Sequence, residues 1–209
     1  MARLSRRSDR ARPERRGEVQ GKLLAALERQ LEQGTSLADV KVSDLASDAG
    51  ISRATFYIHF QDKVDLIEEW LLETIKALYE VSNEWYSASP DLTREQLREL
   101  LGGVFDAYRE RLTLMSAMHE TALYDEALRE EFAEAFELHI TALTEHIRSG
   151  KRAGVIDPEL RPRETAEWLV CMLERVPVQI GRHADRKSSE AHLEATTGVI
   201  WSSLYQRAA

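Results

Sequence analysis

Residues 42–63 read VSDLASDAGISRATFYIHFQDK. The first part of this stretch, up to Ala49, has the pattern of a short helix whose Leu45, Ala46 and Ala49 make a narrow inward face. Gly50 then suits the left-handed backbone that ends a helix, and Ser52 offers a hydroxyl N-cap for the next one. That next helix spans roughly Arg53 to His59, too short to be stable alone because helix nucleation is costly. Ile51, Phe56 and Phe60 recur at steps of five and four, so they anchor it from behind while Arg53, Thr55, Tyr57 and His59 lean outward. Helix, tight glycine turn, helix is the spacing of a helix-turn-helix.

Working outward, Val19, Leu23, Leu24, Leu27 and Leu31 follow helical spacing after Pro13, a good first-turn residue, and stop at Gly34. Downstream, Val64, Ile67, Leu71, Ile75 and Leu78 predict a longer helix from about Asp62 to Tyr86. Thr93 and Gln96 have the spacing of a capping box that opens a helix toward Arg111. Leu128, Phe132, Phe136, Ile140, Leu143 and Ile147 predict another from Asp125 to about Arg148. The segment RSGKRAGVIDPELRP reads as a loop by its Gly and Pro content. Two final helices, about Arg163 to Arg182 with an internal Pro177 and Ser189 to Gln206, are apolar around much of their circumference. More than one face must be covered, which points to a homodimer joined through these two helices. The expected architecture is all-α: an N-terminal three-helix helix-turn-helix domain over residues 1–63 and a larger helical domain for ligand binding and dimerisation over 64–209.

Composition sets the remaining limits. The chain has 209 residues, 43% hydrophobic and 31% charged, too apolar for disorder over most of its length. The net charge of -8 is unevenly spread: residues 1–63 carry +3 and residues 64–209 carry -11. Residues 1–22 hold 8 cations against 3 acids, so a polyanion is drawn to the front of the chain. A single cysteine, Cys171, allows no intrachain disulfide. The arginine-rich start lacks the apolar core of a secretory signal, Asp9 and Glu14 count against a transit peptide, and no run is long enough for a membrane span. A cytoplasmic setting is expected.

The outward face of the third helix carries the chemistry. Arg53 suits a bidentate contact with guanine and Thr55 a thymine methyl or base acceptor, while Tyr57, His59 and Ser52 suit phosphate oxygens. Lys63, at the start of the next helix, is a further phosphate candidate, helped by that helix's N-terminal amides. The basic arm before the first helix adds attraction that knows no sequence and weakens with salt. Catalytic and metal-binding patterns are missing: there is no GxSxG, P-loop or HExxH, and the histidines form no zinc spacing with the cysteine. Neither a cofactor nor a catalytic residue is expected, which leaves a helical enzyme with an accidental look-alike motif as the remote alternative.

The quoted stretch resembles the DNA-binding domain of TetR-family transcriptional regulators, whose motif runs through an alanine-glycine turn, a serine, an aromatic-rich recognition helix and a lysine. The resemblance implies a dimeric repressor that holds a pseudo-palindromic double-stranded operator and is released by a small molecule bound in the variable C-terminal domain. A regulator without an effector is the alternative within DNA binding. Lys41 stands where the family usually has Thr or Ser, so it can touch phosphate but cannot cap, and Ser43 is the candidate cap instead. Ala54 replaces the usual Gly, and Ile58 a frequent aromatic or Arg. The C-terminal half resembles the EthR branch of the family through MLERV around Glu174 and VIWSSLY near the end. That likeness implies a mostly apolar channel lined by Leu101, Tyr108, His139, Leu143, Val170, Leu173 and Trp201, greasier than in that branch, for a small hydrophobic effector. Each of these residues also fits plain core packing, since pockets and cores share a composition.

Overall fold

The computed structural model describes residues 2–181 and 186–205, and among them nine helices and no strand. They run in the order α1 (Ala2–Glu32), α2 (Val42–Asp48), α3 (Arg53–His59), α4 (Lys63–Tyr86), α5 (Arg94–Arg109), α6 (Leu112–Ala122), α7 (Glu126–Ala153), α8 (Pro162–Gly181) and α9 (Arg186–Leu204). The expected helix ends Arg182 and Gln206 lie outside the described residues. Two compact units emerge, Met1–Glu73 and Thr74–Ala209. Their division falls inside α4, where the sequence reading places it at residue 63.

In the first unit, α1 packs on α2 and α2 on α3. Leu23, Leu27, Leu45, Phe56, Phe60 and Leu66 are almost fully buried, and the Phe56 and Phe60 rings lie 5.7 Å apart. Arg16 lies 5.1 Å over the Phe60 ring and pairs with Glu69, whose hydrogen bond raises the guanidinium pKa. One expectation needs correction here. α1 begins at Ala2, so the basic segment is helical backbone rather than an arm before the helix, and Pro13 stands inside the helix instead of in its first turn. Arg, Ala, Leu and Glu favour helix, and the proline costs a single intrahelical bond at that point.

In the second unit, α7 packs on α8 and α5 on α9. Trp85, Leu97, Leu101, Leu143, Ile147, Ile156 and Ile200 form the centre of its apolar core. α5 opens with the expected capping box of Thr93 and Gln96, and Asp125 caps α7 by accepting from the Leu128 amide. Two segments differ from the sequence reading. α6 is an unanticipated helix, and α7 continues to Ala153 through what reads as the start of a loop. Gly150 is there for contact rather than for a break: a Cβ on it would come within 2.5 Å of Ile156, which folds back over the helix after the left-handed Gly154.

The last two helices also spend more of their apolar surface inside the chain than their sequence implies. Leu193, Ile200, Leu204 and Tyr205 are buried, because α9 packs on α5 within the same unit. What remains outside is narrower: Trp168 is 80% exposed and Val199 50%, with Cys171 also exposed.

Candidate nucleic-acid interface and interior cavity

The turn between α2 and α3 is built by backbone hydrogen bonds. The Gly50 amide donates to the Ser47 carbonyl at 3.0 Å and the Ile51 amide to the Ala46 carbonyl at 2.9 Å, with Gly50 at φ 69°. This is a Schellman closure, and its left-handed residue must be glycine to avoid a steric cost. Immediately afterwards the Ser52 hydroxyl accepts from the Thr55 amide at 3.0 Å, capping α3. The turn and cap together fix the direction in which α3 leaves.

Phe56 is the buried side of α3, and the opposite side is open. Ser52 and Arg53 are exposed, Tyr57 is 50% exposed, and Thr55 and His59 are partly covered. Ile58 is 76% exposed, so it belongs to the outer face and not to the packing. The Thr55 hydroxyl lies 2.9 Å from that of Ser52, which ties two of the expected contacts together before any ligand arrives. Of the five sequence-selected residues from Ser52 to His59, Ser52, Arg53 and Tyr57 are exposed and Thr55 and His59 are half-buried.

The two lysines part company. Lys41 is exposed at the N-terminus of α2 and makes no side-chain cap, as its chemistry requires. Ser43 does not cap either, since its hydroxyl donates to Asp44 at 2.9 Å. Lys63 is a correction. Its ammonium donates to the carbonyl oxygens of Leu37, Ala38 and Val40 at 2.9, 2.7 and 3.0 Å. An ammonium has three donors, so none is left over for a phosphate. Lys63 instead staples the connector after α1 to the start of α4. No motif in the sequence announces this, although a polar connector with several carbonyls and no regular structure needs donors from somewhere.

The second unit holds a partly open cavity of about 40 Å³ among α4, α5, α6, α7 and α8. Of the residues expected to line a channel, Tyr108, His139, Val170 and Leu173 meet there. Leu101 and Leu143 lie in the apolar core instead, and Trp201 packs against that core. Ile75, Leu78, Val104, Met115, Phe132, Ala135 and Phe136 complete the apolar wall. The lining is less greasy than expected, because Ser82, Tyr86 and Glu174 also face the cavity. Burial raises the Tyr86 and Tyr108 phenols above their ordinary range and pushes the His139 imidazole down to about 4, so all three are neutral at pH 7. The Tyr86 hydroxyl and Nδ1 of His139 are hydrogen-bonded at 3.1 Å.

The residue the sequence reading overlooked is His119. It sits on the unanticipated α6, stacks on Phe132 with ring centroids 4.7 Å apart, and meets the Glu174 carboxylate. A lone His in an apolar run is the signal that could have found it, once a helix is placed there.

Comparison with known proteins follows the same division. Residues 23–70 match the model of the family described as bacterial regulatory proteins, tetR family. Among solved structures, the TetR-family transcriptional regulator PfmR from Thermus thermophilus is 21% identical, with a TM-score of 0.69 over 89% of this chain and 96% of that one. The ketosteroid transcriptional regulator KstR2 of Mycobacterium tuberculosis is 19% identical, with a TM-score of 0.68 over 92% and 96%. A Saccharomonospora viridis protein in complex with choline is 20% identical, with a TM-score of 0.70 over 93% and 100%. At such identities the likeness is one of fold. No curated protein matches the chain.

Proposed function

We propose, from residues 23–70 as the DNA-binding domain of a TetR-family regulator, that the chain is a transcriptional repressor of the bacterial type, working on DNA in the cytoplasm. It holds a pseudo-palindromic operator as a homodimer and lets go when a small hydrophobic effector enters the second unit. The observation that carries this reading is the exposure of Arg53 and Tyr57 on α3, whose other side is pinned by buried Phe56 and Phe60. A short helix so held offers a rigid polar edge of the width that the major groove admits. Arg53 reads a guanine, Thr55 and Ile58 face thymine methyls, and Ser52, Tyr57, His59 and Lys41 hold phosphates.

Homodimerisation is supported by the apolar residues that α8 and α9 leave uncovered, Trp168 and Val199 above all. A two-fold axis places the same strip of each copy against the other. For the effector, the support is the mostly apolar cavity, together with the choline complex of the Saccharomonospora protein as an instance of this fold holding a small molecule. The effector needs only to bind one conformation of the dimer better than the other. A second reading, a regulator with no effector, draws on the cavity's size: about 40 Å³ is well below the several hundred Å³ of an occupied ligand site, so entry requires side chains to move.

Selection of bound sequences from random duplex DNA tests the central claim. A palindrome with half-sites one DNA turn apart, or a multiple of it, is the expected result. Arg53→Ala and Tyr57→Ala should each abolish protection of the selected site while leaving helical content unchanged. Intact footprints in both variants would remove α3 as the reading element.

A further inference from the structure

We infer that the effector is an uncharged lipophile with a carbonyl oxygen, of the ketone or ester class, and that the Tyr108 hydroxyl is the donor that holds this oxygen. The inference rests on the reading of the cavity as an effector site. What lines the wall decides the charge. Glu174 is the one acid among the described residues of the lining, and it is matched by His119. Nδ1 of His119 lies 2.8 Å from the Met115 carbonyl oxygen, which can only accept, so Nδ1 carries a proton. Nε2 meets Oε1 of Glu174 so closely that the two share a further proton, and the pair is neutral as a unit. No Lys or Arg lines the cavity, and burial holds His139 neutral. An ionised head of either sign would give up its water there without a counter-charge.

Which polar groups are already engaged decides the rest. The Tyr86 hydroxyl and Nδ1 of His139 are bonded to each other, and Ser82 also hydrogen-bonds Tyr86. Tyr108 differs. It is 7% exposed and lines the cavity from α5, yet its hydroxyl has no hydrogen-bond partner among the described residues. Burial above all, and then the neighbouring Glu174, keeps the phenol protonated, so it presents an O–H in need of an acceptor. A ligand that displaced water from this spot without accepting that proton would strand a buried donor. A carbonyl oxygen meets the need and brings no proton of its own to be matched. The apolar wall then takes the rest of the molecule.

Octan-2-one, octanoate and octyltrimethylammonium, each titrated calorimetrically into the full chain, separate the possibilities. The ketone is expected to bind at least about tenfold more tightly than either ion, which must be desolvated unpaired. In Tyr108→Phe the ketone should weaken about fivefold, the worth of one neutral hydrogen bond, while the two ions stay put. On the unaltered protein the infrared carbonyl band of bound octan-2-one should lie at lower wavenumber than in hexane, as a hydrogen-bonded ketone does. An ion that binds as tightly as the ketone, a band unshifted from hexane, or undiminished ketone affinity in folded Tyr108→Phe would overturn the inference while leaving the cavity an effector site. Failure of every probe to bind the wild-type chain would overturn both. The probe comparison and the band are read on the unaltered protein, so they decide even where the variant folds poorly.

Discussion

The Tyr205 hydroxyl lies 2.6 Å from Nε2 of His146, and the same oxygen accepts from the Trp85 indole N–H at 3.0 Å. His146 completes the chain through Nδ1, which donates to the Tyr86 carbonyl at 3.1 Å. These contacts fix the imidazole as the neutral Nδ1–H tautomer, with Nε2 accepting the phenol proton. The polar side-chain atoms of Trp85, His146 and Tyr205 thereby match one another, and α4, α7 and the residue after α9 are joined through a single hydroxyl. Tyr205→Phe deletes the hydroxyl and keeps the ring, stranding one buried donor and one buried acceptor. Loss of about 2 kcal/mol is expected, seen as a lower urea midpoint at unchanged m-value.

Acid should weaken the fold through two histidines. Burial pushes His139 down to about 4, and burial also lowers His146 against the opposing effect of its Tyr86 contact. Both are neutral in the fold and become protonated in the unfolded chain below about 6.5. Their stabilisation is therefore complete above that pH and is lost as the pH falls toward 4, by roughly 3 kcal/mol for His139 alone. Denaturant titrations across this window should show the decline, and His139→Gln should flatten it. An equal slope in that variant would show that the decline has another origin.

Two glycine-to-alanine changes in helices should differ in sign. At Gly102 the nearest atom to a new Cβ is Leu193 Cδ2 at 3.7 Å, an ordinary contact, so the helix propensity gain of about 1 kcal/mol is kept. At Gly150 the new methyl would meet Ile156 Cδ1, Cγ1 and Cβ at 2.5, 2.6 and 3.1 Å. Ile156 is 1% exposed and has nowhere to go, so overpacking outweighs propensity and a net loss of about 1–2 kcal/mol is expected. Thermal midpoints of the two variants, one up and one down, check the contrast.

The same pair explains what the sequence could disclose. Amphipathic periodicity and side-chain caps are local, so α3, α5 and the start of α7 were legible from Ser52, Thr93 with Gln96, and Asp125. Gly150 read as a breaker because its role depends on Ile156 returning over it, which is tertiary information. α6 had no comparable signal: its N-cap is Arg111, which makes no side-chain cap, and neither Gly nor Pro marks its ends. In the candidate site, the outward residues of α3 follow from helical geometry, whereas the cavity wall depends on how five helices meet. Hence Tyr108 and His139 fell in the cavity while Leu101 and Leu143, equally apolar-faced in sequence, fell in the core.

Lys41 and Lys63 look alike in sequence as phosphate contacts, and the structure gives them different jobs that a salt titration can separate. Lys41 is exposed and its side chain makes no cap hydrogen bond, so its ammonium is available to a polyanion. Each phosphate neutralised contributes about 0.9 to the slope of log affinity against log salt. Lys41→Ala should therefore weaken operator binding, reduce the magnitude of that slope by about one and leave the unfolding midpoint in place. Lys63 spends its donors on Leu37, Ala38 and Val40, two of which, Leu37 and Val40, are themselves buried. Lys63→Met keeps the aliphatic stem but leaves those carbonyls without the ammonium, so it should cost roughly 2 kcal/mol of stability. Operator affinity at a temperature where the variant remains folded should then fall with little change in salt slope, because the loss comes from a loosened connector and not from a missing charge at phosphate. A slope reduced by one in Lys63→Met at unchanged stability would return this lysine to the DNA.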